Sequence, residues 1–350
     1  MAQIRIQALH KSFGDFVAVK DSNFTVEDGE FFCLLGPSGC GKTTTLRMIA
    51  GLELPTSGHI RLAGEDVTQK RASARDIAFV FQLFALYPHM NVRRNIAFPL
   101  VSMGVKRAEV KTRVEEAARI LRITELLDRP VSGLSGGDRQ RVALGRAIVR
   151  RPLAFMMDEP LGALDSEFRQ VMCGELRGLH DRLKATTVYV THDQIEAMTL
   201  AHRVALLEKG VLQQLDTPAK IYNSPANLFV AGFIGSPPMN LLDGELADGR
   251  FSSAAGNFPT ESRSWPRAAV AGVRPEDCKV TEPASGKIVG EVYATELMGD
   301  HSLVTCRVLG GTMIVKADKS FNRPDGEAVG VDFAAPAVHL FAKASGDRIE

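Results

Sequence analysis

A glycine-rich stretch, GPSGCGKTT, contains the residue types that bind a phosphate group. The spacing G-x-x-x-x-G-K-[ST] is met by Gly36, Gly41, Lys42 and Thr43. In this pattern the glycines let backbone N–H groups crowd a phosphate, the lysine neutralises phosphate oxygens, and the threonine hydroxyl is a ligand for Mg²⁺. Because the stretch follows an apolar run and precedes a helical pattern, the sequence predicts a phosphate-binding loop here.

Two carboxylates and a histidine follow apolar runs farther along the chain. Asp158 and Glu159 come directly after LAFMM, and His192 comes directly after TTVYV. At the end of a buried strand, the first carboxylate can hold Mg²⁺ through water and the second can polarise an attacking water. A histidine at the same edge of the sheet can hydrogen-bond a γ-phosphate. Together with the loop, these residues predict hydrolysis of a nucleoside triphosphate.

A second glycine-rich helix start lies about a hundred residues after the first, in LSGGDRQR. Ser135, Gly136 and Gly137 precede a helical pattern there. The unpaired N–H groups and the dipole of a helix N-terminus attract an anion. The sequence therefore predicts a second anion-binding element, although one phosphate loop would seem enough.

The segments that carry these residues predict an α/β domain over residues 1–235. FTVEDGEFFCLLG predicts a hairpin turn at Asp28-Gly29 followed by a buried strand that enters the loop. TTTLRMIAGL predicts a helix, and residues 106–128 predict an amphipathic helix. LAFMMDEP and ATTVYVTHD are continuous apolar or β-branched runs, which are typical of strands covered on both faces in a parallel sheet.

The pattern changes at residue 236, where glycine, proline and acidic residues cluster. Short alternating segments follow, among them AAVAGV, KIVGEVYATEL, SLVTCRV, TMIVKA and EAVGVDF. They are separated by turn residues, which is typical of a small all-β sandwich or barrel. The sequence thus predicts a second domain over residues 236–350.

The charge balance and the cysteine content of the chain argue against several classes of function. Lys plus Arg number 42 and Asp plus Glu 41, so the net charge gives no case for nucleic acid binding. The five cysteines are scattered and never spaced C-x-x-C, which argues against a disulfide framework or a zinc site and favours a reducing cytoplasm. No segment approaches the roughly 18 apolar residues of a membrane span. If the protein works at a membrane, another chain is expected to cross it.

Six motifs together resemble the ATP-binding subunits of ABC transporters. GPSGCGKTT, FVFQ, LSGGDRQR, MMDEP, GALD and THD stand in that family's order and approximate spacing. The resemblance implies a P-loop ABC nucleotide-binding domain over residues 1–235, with a helical subdomain at about residues 88–150, that hydrolyses ATP with Mg²⁺. It also implies that the protein forms a homodimer.

The resemblance assigns roles to individual residues. Glu159 would be the general base, His192 would contact the γ-phosphate, and Gln82 would reach Mg²⁺ and the attacking water. Mg²⁺ would be bound by Thr43, Gln82 and Asp158. The nucleotide would be bound by Phe13, stacked on adenine, by Gly36, Ser38, Gly39, Cys40, Gly41, Lys42, Thr43 and Thr44, and by Asp165, which would communicate between two sites.

In this family the second glycine-rich element closes over ATP held by another copy. Ser135, Gly136 and Gly137 would thus complete a composite site across the dimer, and hydrolysis would reopen it. The family usually has Gln where this chain has Asp138. A carboxylate there brings negative charge towards an anion, so we expect lower ATP affinity for closure.

Other segments narrow the resemblance to carbohydrate importers, including LFALYPHMNVRRNIAFPL, AGFIGSPPMNLL, AGVRPED and VHLF. This branch implies an OB-like β domain in the second half, with dimerisation or regulatory roles, and a sugar, glycoside or polyol as solute. Two integral-membrane permease subunits would dock near Leu83–Asn95, with an extracytoplasmic solute-binding protein as indirect partner. The protein would be peripheral on the cytoplasmic face of the inner membrane.

Three alternatives and one side question stay open at this stage. The solute could belong to another class, such as glycerol phosphate, a polyamine or an inorganic anion. A soluble ABC ATPase acting on nucleic acid, or a P-loop kinase for a small molecule, would share the loop. Cys40 lies near a helix N-terminus that lowers a thiol pKa, which predicts a reactive thiol unless the residue is a buried, inert one.

Overall fold

The computed structural model describes residues 2–81, 85–162, 166–260 and 268–349. The chain divides into two compact units, Met1–Ala219 and Lys220–Glu350. The change of composition at residue 236 lies inside the second unit, because residues 220–235 pack within it. There, Ala231 contacts a small core formed with Met239, Val270 and Phe341.

Ten strands and six helices precede the junction between the units in the described residues. The strands are β1 (Ile4–Phe13), β2 (Phe16–Val26), β3 (Phe31–Leu35), β4 (Ser57–Leu62), β5 (Glu65–Asp66), β6 (Ile77–Val80), β7 (Ala154–Asp158), β8 (Thr186–Thr191), β9 (Arg203–Glu208) and β10 (Val211–Asp216). The helices are α1 (Lys42–Ala50), α2 (Val92–Ser102), α3 (Arg107–Ile120), α4 (Gly136–Ile148), α5 (Ser166–Leu183) and α6 (Gln194–Leu200). None of the described helices is long and apolar enough to span a bilayer.

The central sheet of the first unit has the strand order β10-β9-β3-β8-β7-β6. Strands β9, β3, β8, β7 and β6 are parallel, and β10 pairs antiparallel at one edge. Every residue of β3 and β8 is buried, as expected of strands covered on both faces. The strand predictions for LAFMMDEP and ATTVYVTHD are confirmed, and the parallel order brings the carboxyl ends of β3, β7 and β8 to one edge.

The predicted hairpin at Asp28-Gly29 is wrong. β2 pairs with β1 in a four-stranded antiparallel sheet of order β2-β1-β4-β5, whereas β3 pairs with β8 and β9 in the central sheet. The reason is burial. β3 is apolar on both faces and must lie inside a covered parallel sheet, whereas five of the eleven residues of β2 are exposed.

The predicted helix over residues 106–128 is shorter than expected. α3 ends at Ile120, the chain turns at Arg122 with a positive φ of 57°, and a short 3₁₀ turn follows at Thr124–Leu126. The apolar positions that indicated the helix are buried, namely Val110, Val114, Ala117 and Leu121. Their periodicity therefore marked the buried face correctly but did not show where the helix ends.

A buried arginine ties the end of α1 to the neighbouring loop. Arg75 is 1% exposed, and its guanidinium donates to the carbonyls of Met48 (2.6 Å), Ile49 (2.8 Å), Thr68 (3.0 Å) and Lys70 (2.9 Å). Two of these carbonyls, those of Met48 and Ile49, belong to the last turn of α1, beyond which no further helical turn supplies donors. The Met48 carbonyl also accepts from the Gly51 N–H at 3.2 Å. Arg75 thus anchors the helix whose other end follows the glycine-rich loop.

Replacing Arg75 with Met is expected to lower the free energy of unfolding by about 3 kcal/mol, because several buried carbonyls lose their donor at once. Chemical denaturation followed by circular dichroism measures this change. The matched control is Arg71→Met, since Arg71 is exposed on the same segment and should change stability by less than about 0.5 kcal/mol. Equal effects of the two substitutions would contradict the anchoring role.

The described part of the second unit is all-β apart from short 3₁₀ turns and two short helices, α7 (Pro218–Asn223), which contains the boundary between the units in the sequence, and α8 (Leu228–Phe233). Its described strands are β11 (Asn240–Ala247), β12 (Arg250–Ser253), β13 (Asn257–Pro259), β14 (Ala268–Val273), β15 (Cys278–Thr281), β16 (Ile288–Leu297), β17 (His301–Val308), β18 (Gly311–Asp318), β19 (Ala328–Phe333), β20 (His339–Ala342) and β21 (Arg348–Ile349). They form sheets of order β13-β12-β11-β14-β20-β21 and β15-β19-β16-β17-β18, which enclose an apolar core. The prediction of a small all-β domain is confirmed.

The second unit contains a histidine, His339, that lowers the stability of the folded protein at acid pH. Burial, reinforced by Arg348 and Arg274, lowers the pKa of His339 to about 4. Because this pKa is below the value of about 6.5 in an unfolded chain, the unfolded state binds more protons between the two values. Stability from the neutral imidazole is present above pH 6.5 and is lost as pH falls through 4.

We therefore expect His339→Gln to reduce the acid sensitivity of the protein. Between pH 7 and pH 4 the wild-type chain should lose up to about 3 kcal/mol more stability than the variant. Denaturant titrations at several pH values measure the difference. Parallel stability curves for the two proteins would show that His339 does not cause the loss.

Candidate nucleotide site

Two glycines hold the glycine-rich loop in a space that admits no side chain. A Cβ atom on Gly36 would lie 2.2 Å from the carbonyl oxygen of Leu207, and one on Gly41 would lie 2.2 Å from that of Ala18. Both have positive φ, 151° for Gly36 and 100° for Gly41. The loop between β3 and α1 is thus pressed against β9 on one side and β2 on the other, which only glycine permits.

Lys42 is enclosed by this loop. Its side chain is buried, and Nζ donates to the carbonyls of Gly36 (2.8 Å) and Pro37 (2.9 Å). The third contact is a weak one to the Cys40 Sγ, at 3.8 Å. An ammonium has three donors, so a phosphate oxygen could replace the sulfur with a gain in hydrogen-bond strength. Ser38 at the loop tip is exposed, which leaves the approach open.

Cys40 does not have the lowered pKa that its position near a helix N-terminus predicts. The residue is 3% exposed, and burial raises the pKa of its thiol despite the nearby Lys42. Of the two interpretations of Cys40, the structure favours the buried, inert thiol, because desolvation of a thiolate outweighs the favourable field of the helix and the ammonium.

Thr43 and Asp158 meet although they are far apart in sequence. The Thr43 hydroxyl donates to Asp158 Oδ1 at 2.8 Å. Burial raises the pKa of Asp158, while the hydrogen bond from Thr43 opposes that shift. A hydroxyl and a carboxylate are oxygen ligands of the kind that Mg²⁺ prefers. The two side chains therefore fit a magnesium ion that also binds phosphate oxygens.

Glu159 and His192 are brought together by the pairing of β7 with β8. Asp158 pairs with Val190, and the Glu159 N–H donates to the Val190 carbonyl at 3.0 Å. Glu159 has a positive φ of 43°, which turns the chain sharply after the strand. Its Oε1 lies 3.2 Å from Nδ1 of His192. His192 is 54% exposed and Glu159 21%, so both side chains are accessible from this edge.

A buried carboxylate behind His192 was missed by the sequence reasoning. Glu196 is 2% exposed and accepts hydrogen bonds from the Tyr189 hydroxyl (2.8 Å) and the Thr191 hydroxyl (2.7 Å). Burial raises its pKa. Asp193 begins α6 by accepting hydrogen bonds from the N–H groups of Ile195 and Glu196. These contacts hold the turn that carries His192. The Asp193 N-cap matches a local helix-start pattern, whereas the hydrogen bonds that bury Glu196 match none.

The second glycine-rich element forms the N-terminus of α4, as predicted. Ser135 is the N-cap, and its Oγ accepts a hydrogen bond from the Asp138 N–H at 3.2 Å. Ser135 and Gly136 are exposed, whereas Gly137 is buried. Within the described ranges, no hydrogen bond or ion pair joins this end of α4 to the glycine-rich loop of the same chain.

Of the other residues predicted to bind the nucleotide or Mg²⁺, three are described by the structure and two are not. Phe13 is the last residue of β1, is 49% exposed, and has the Lys11 ammonium 4.6 Å from its ring centre. Thr44 lies in the first turn of α1, and Gly39 is exposed at the loop tip. Gln82 and Asp165 lie outside the described residues, so their assigned roles stay predictions.

Comparison with known proteins identifies the family. Residues 19–162 match the family described as ABC transporter, and residues 271–341 match the TOBE domain. The trehalose/maltose import ATP-binding protein MalK of Thermococcus litoralis is 46% identical over 372 residues that cover 100% of both chains. This chain belongs to the ATP-binding subunits of ABC importers. This ABC subunit is therefore an ATPase, and its all-β unit contains the OB-like TOBE domain that the resemblance implied.

Other relatives agree on the family but differ in solute. The sn-glycerol-3-phosphate import ATP-binding protein UgpC 3 of Rhizobium johnstonii is also 46% identical, over 355 residues and 100% of both chains. Among solved structures, an ATP-binding cassette in a dimeric post-hydrolysis state with ADP and phosphate has a TM-score of 0.54 and 29% identity. It covers 61% of this ABC ATPase and 98% of that chain. The catalytic unit is thus shared, whereas the solute varies among relatives of equal identity.

Proposed function

We propose that this ABC ATPase powers the import of a sugar, glycoside or polyol as a homodimer on the cytoplasmic face of the inner membrane. Two integral-membrane permease subunits would form the path, and an extracytoplasmic solute-binding protein would deliver the solute. The observation that carries the catalytic part is the convergence of Lys42, the Thr43–Asp158 pair and the Glu159–His192 pair at the strand ends.

In this proposal the triphosphate lies over the N-terminus of α1. Lys42 exchanges its weak contact with Cys40 for a β- or γ-phosphate oxygen, and the N–H groups of the first helical turn bind the phosphates. Thr43 and Asp158 would hold Mg²⁺, whose chemistry there would be to supply positive charge beside the phosphate oxygens. Phe13, which is 49% exposed, would stack on adenine.

Glu159 is the proposed general base. Its carboxylate accepts a proton from a water as the water oxygen attacks the γ-phosphorus in line with the departing ADP oxygen. Nδ1 of His192 lies 3.2 Å from Oε1 of Glu159, so the ring can hold the carboxylate in place before ATP binds. With ATP bound, the single N–H of the neutral ring would be donated to the γ-phosphate instead. Gln82 would orient the same water.

The composite-site proposal explains why the chain has two glycine-rich helix starts. Ser135, Gly136 and Gly137 would bind the γ-phosphate of ATP held by the second copy, so ATP would become part of the dimer interface. The exposure of Ser135 and Gly136 in a single chain supports this. Asp165 would pass information between the two sites, and hydrolysis would release the copies.

The proposed docking segment for the permease, Leu83–Asn95, is described from Ala85 onward. The Asn95 side chain holds the conformation of this segment through hydrogen bonds. Its Oδ1 accepts from the Tyr87 N–H, and its Nδ2 donates to the carbonyls of Tyr87, Met90 and Asn91. The Ala85 carbonyl accepts from Arg146 at 2.6 Å. Because these hydrogen bonds hold the loop in one conformation, a helix of the permease could bind it with little loss of conformational entropy.

The catalytic part of the proposal is tested with the chain purified together with its co-expressed permease subunits. Phosphate release should occur without any added acceptor and should rise when the loaded solute-binding protein is supplied. Phosphate transfer that needs a small-molecule acceptor would favour the kinase alternative. Stimulation by nucleic acid, without co-purification of permease subunits, would favour the soluble ATPase.

The solute class is tested on the solute-binding protein that stimulates ATP hydrolysis by this chain and its permease subunits. Calorimetric titration with trehalose, maltose, a polyol, glycerol 3-phosphate, a polyamine and an inorganic anion should show saturable binding of a sugar, glycoside or polyol. Binding of glycerol 3-phosphate, a polyamine or an inorganic anion instead would replace the solute class and leave the ATPase assignment intact.

A further inference from the structure

Asp138 is bound to the hydroxyl group that the composite site needs. The Ser135 hydroxyl donates to Asp138 Oδ2 at 2.7 Å, and the Asp138 N–H donates back to Ser135 Oγ at 3.2 Å. The bond from the Asp138 N–H is the N-cap half of a capping box, but the Asp138 carboxylate accepts from the Ser135 hydroxyl rather than from the Ser135 N–H. The sequence predicts an effect of the Asp138 charge on ATP affinity but does not predict the hydrogen bond between Ser135 and Asp138.

The contact has a direct consequence for phosphate binding. A serine hydroxyl has one proton, so while it donates to Asp138 it presents only lone pairs to an approaching oxyanion. To bind a phosphate oxygen, the hydroxyl must turn away from the carboxylate. Hydrogen bonds to an ionised acceptor are stronger than those to a neutral amide, so Asp138 resists this turn more than Asn or Gln would.

Arg141 allows Asp138 to release the hydroxyl without losing all its partners. Its Nη1 donates to Asp138 Oδ1 at 3.2 Å. The same guanidinium binds Glu175 of α5 through two hydrogen bonds, of 3.1 and 3.0 Å. Arg141 and Asp138 are largely shielded, with side chains 20% and 25% exposed. When Ser135 turns, the carboxylate therefore keeps a charged partner.

We propose that Asp138 is a positioning residue that raises the ATP concentration needed for two copies to close, because it holds the Ser135 hydroxyl in a hydrogen bond until a γ-phosphate oxygen replaces Asp138 as the acceptor. This inference rests on the proposed composite site. Asp138 itself touches no nucleotide in this scheme. It acts through Ser135, and Arg141 keeps its other oxygen occupied.

The experiment compares full-length chains that carry Glu159→Gln, with and without Asp138→Asn. Sedimentation velocity measures the fraction of dimer as ATP and Mg²⁺ are titrated. Asn keeps the shape but weakens the hydrogen bond from Ser135, so the ATP concentration at half-maximal dimerisation should fall about fivefold. Asp138→Ala should shift it in the same direction. An unchanged or higher value in Asp138→Asn would overturn the inference.

Two further variants separate positioning from a general loosening of α4. Glu175→Gln weakens the attachment of Arg141 to α5 but leaves Ser135 and Asp138 in place, so dimerisation should need nearly the same ATP concentration as before. Adding Ser135→Ala to Asp138→Asn should abolish the gain, because the hydroxyl is then absent. An equal gain in Glu175→Gln, or a gain that survives Ser135→Ala, would overturn the inference.

Failure of the inference and failure of the proposed function give different results. If the chain with Asp138 and Glu159→Gln never dimerises with ATP, the composite site is wrong and the inference falls with it. If that chain dimerises and Asp138→Asn dimerises at the same ATP concentration, only the role of Asp138 is wrong. Binding of a fluorescent ATP analogue to dilute monomer should be equal in both chains, because Ser135 lies outside the site of its own chain.

Discussion

Replacing Glu159 with Gln is expected to reduce ATP turnover by about 100-fold to 10,000-fold, because an amide cannot accept the proton of the attacking water. ATP binding should persist, since Lys42 and the Thr43–Asp158 pair are untouched. The variant should therefore accumulate as an ATP-bound dimer. Phosphate release measures the loss of turnover, and size-exclusion chromatography with light scattering measures the dimer.

The matched control is Glu125→Gln, which makes the same chemical change at an exposed position outside the site. Its turnover should equal that of the wild-type protein. A Glu159→Gln variant that keeps more than a tenth of the wild-type turnover would contradict its role as general base. The next group to examine would then be His192, which lies 3.2 Å from its carboxylate.

Replacing Gly36 with Ala is expected to weaken ATP binding by more than about 100-fold and to lower stability by about 3 kcal/mol. The added Cβ would lie 2.2 Å from the Leu207 carbonyl oxygen and 2.8 Å from Cys40 Sγ. Backbone must then move, and the loop loses the shape that encloses Lys42. Equilibrium dialysis with ATP measures binding, and denaturant titration measures stability.

Gly39→Ala is the control within the same loop. Gly39 also has a positive φ, of 78°, but a Cβ there would meet no atom within 4 Å. The substitution should cost only about 1 to 2 kcal/mol of backbone strain, and the loop should keep its shape. If Gly36→Ala and Gly39→Ala weaken ATP binding equally, then strain in the loop, rather than the approach of Leu207, decides the effect.

The network around Ser135 was only partly foreseeable. The Asp138–Arg141 spacing is that of neighbours on a helix, so their pairing could have been inferred once α4 was predicted. The partner Glu175 could not, because it comes from α5 and reaches Arg141 only through helix packing. Water and phosphate compete with Asp138 as acceptors for the Ser135 hydroxyl, so the acceptor that the hydroxyl faces also depends on the tertiary structure.

The sequence by itself determined the phosphate loop, the carboxylates at the strand ends, the start of α4 and the all-β character of the second unit. These features follow from local requirements: glycine where φ is positive, apolar runs where a strand is covered, and a serine where a helix begins.

Only the tertiary structure decided that β2 and β3 lie in different sheets, that α3 ends before Arg122, that burial controls the Cys40 thiol, and that Glu196 lies behind His192. Each of these depends on which distant segments pack together. Strand order and burial arise from such long-range contacts, whereas a short stretch of sequence encodes only its own backbone preferences and polarity.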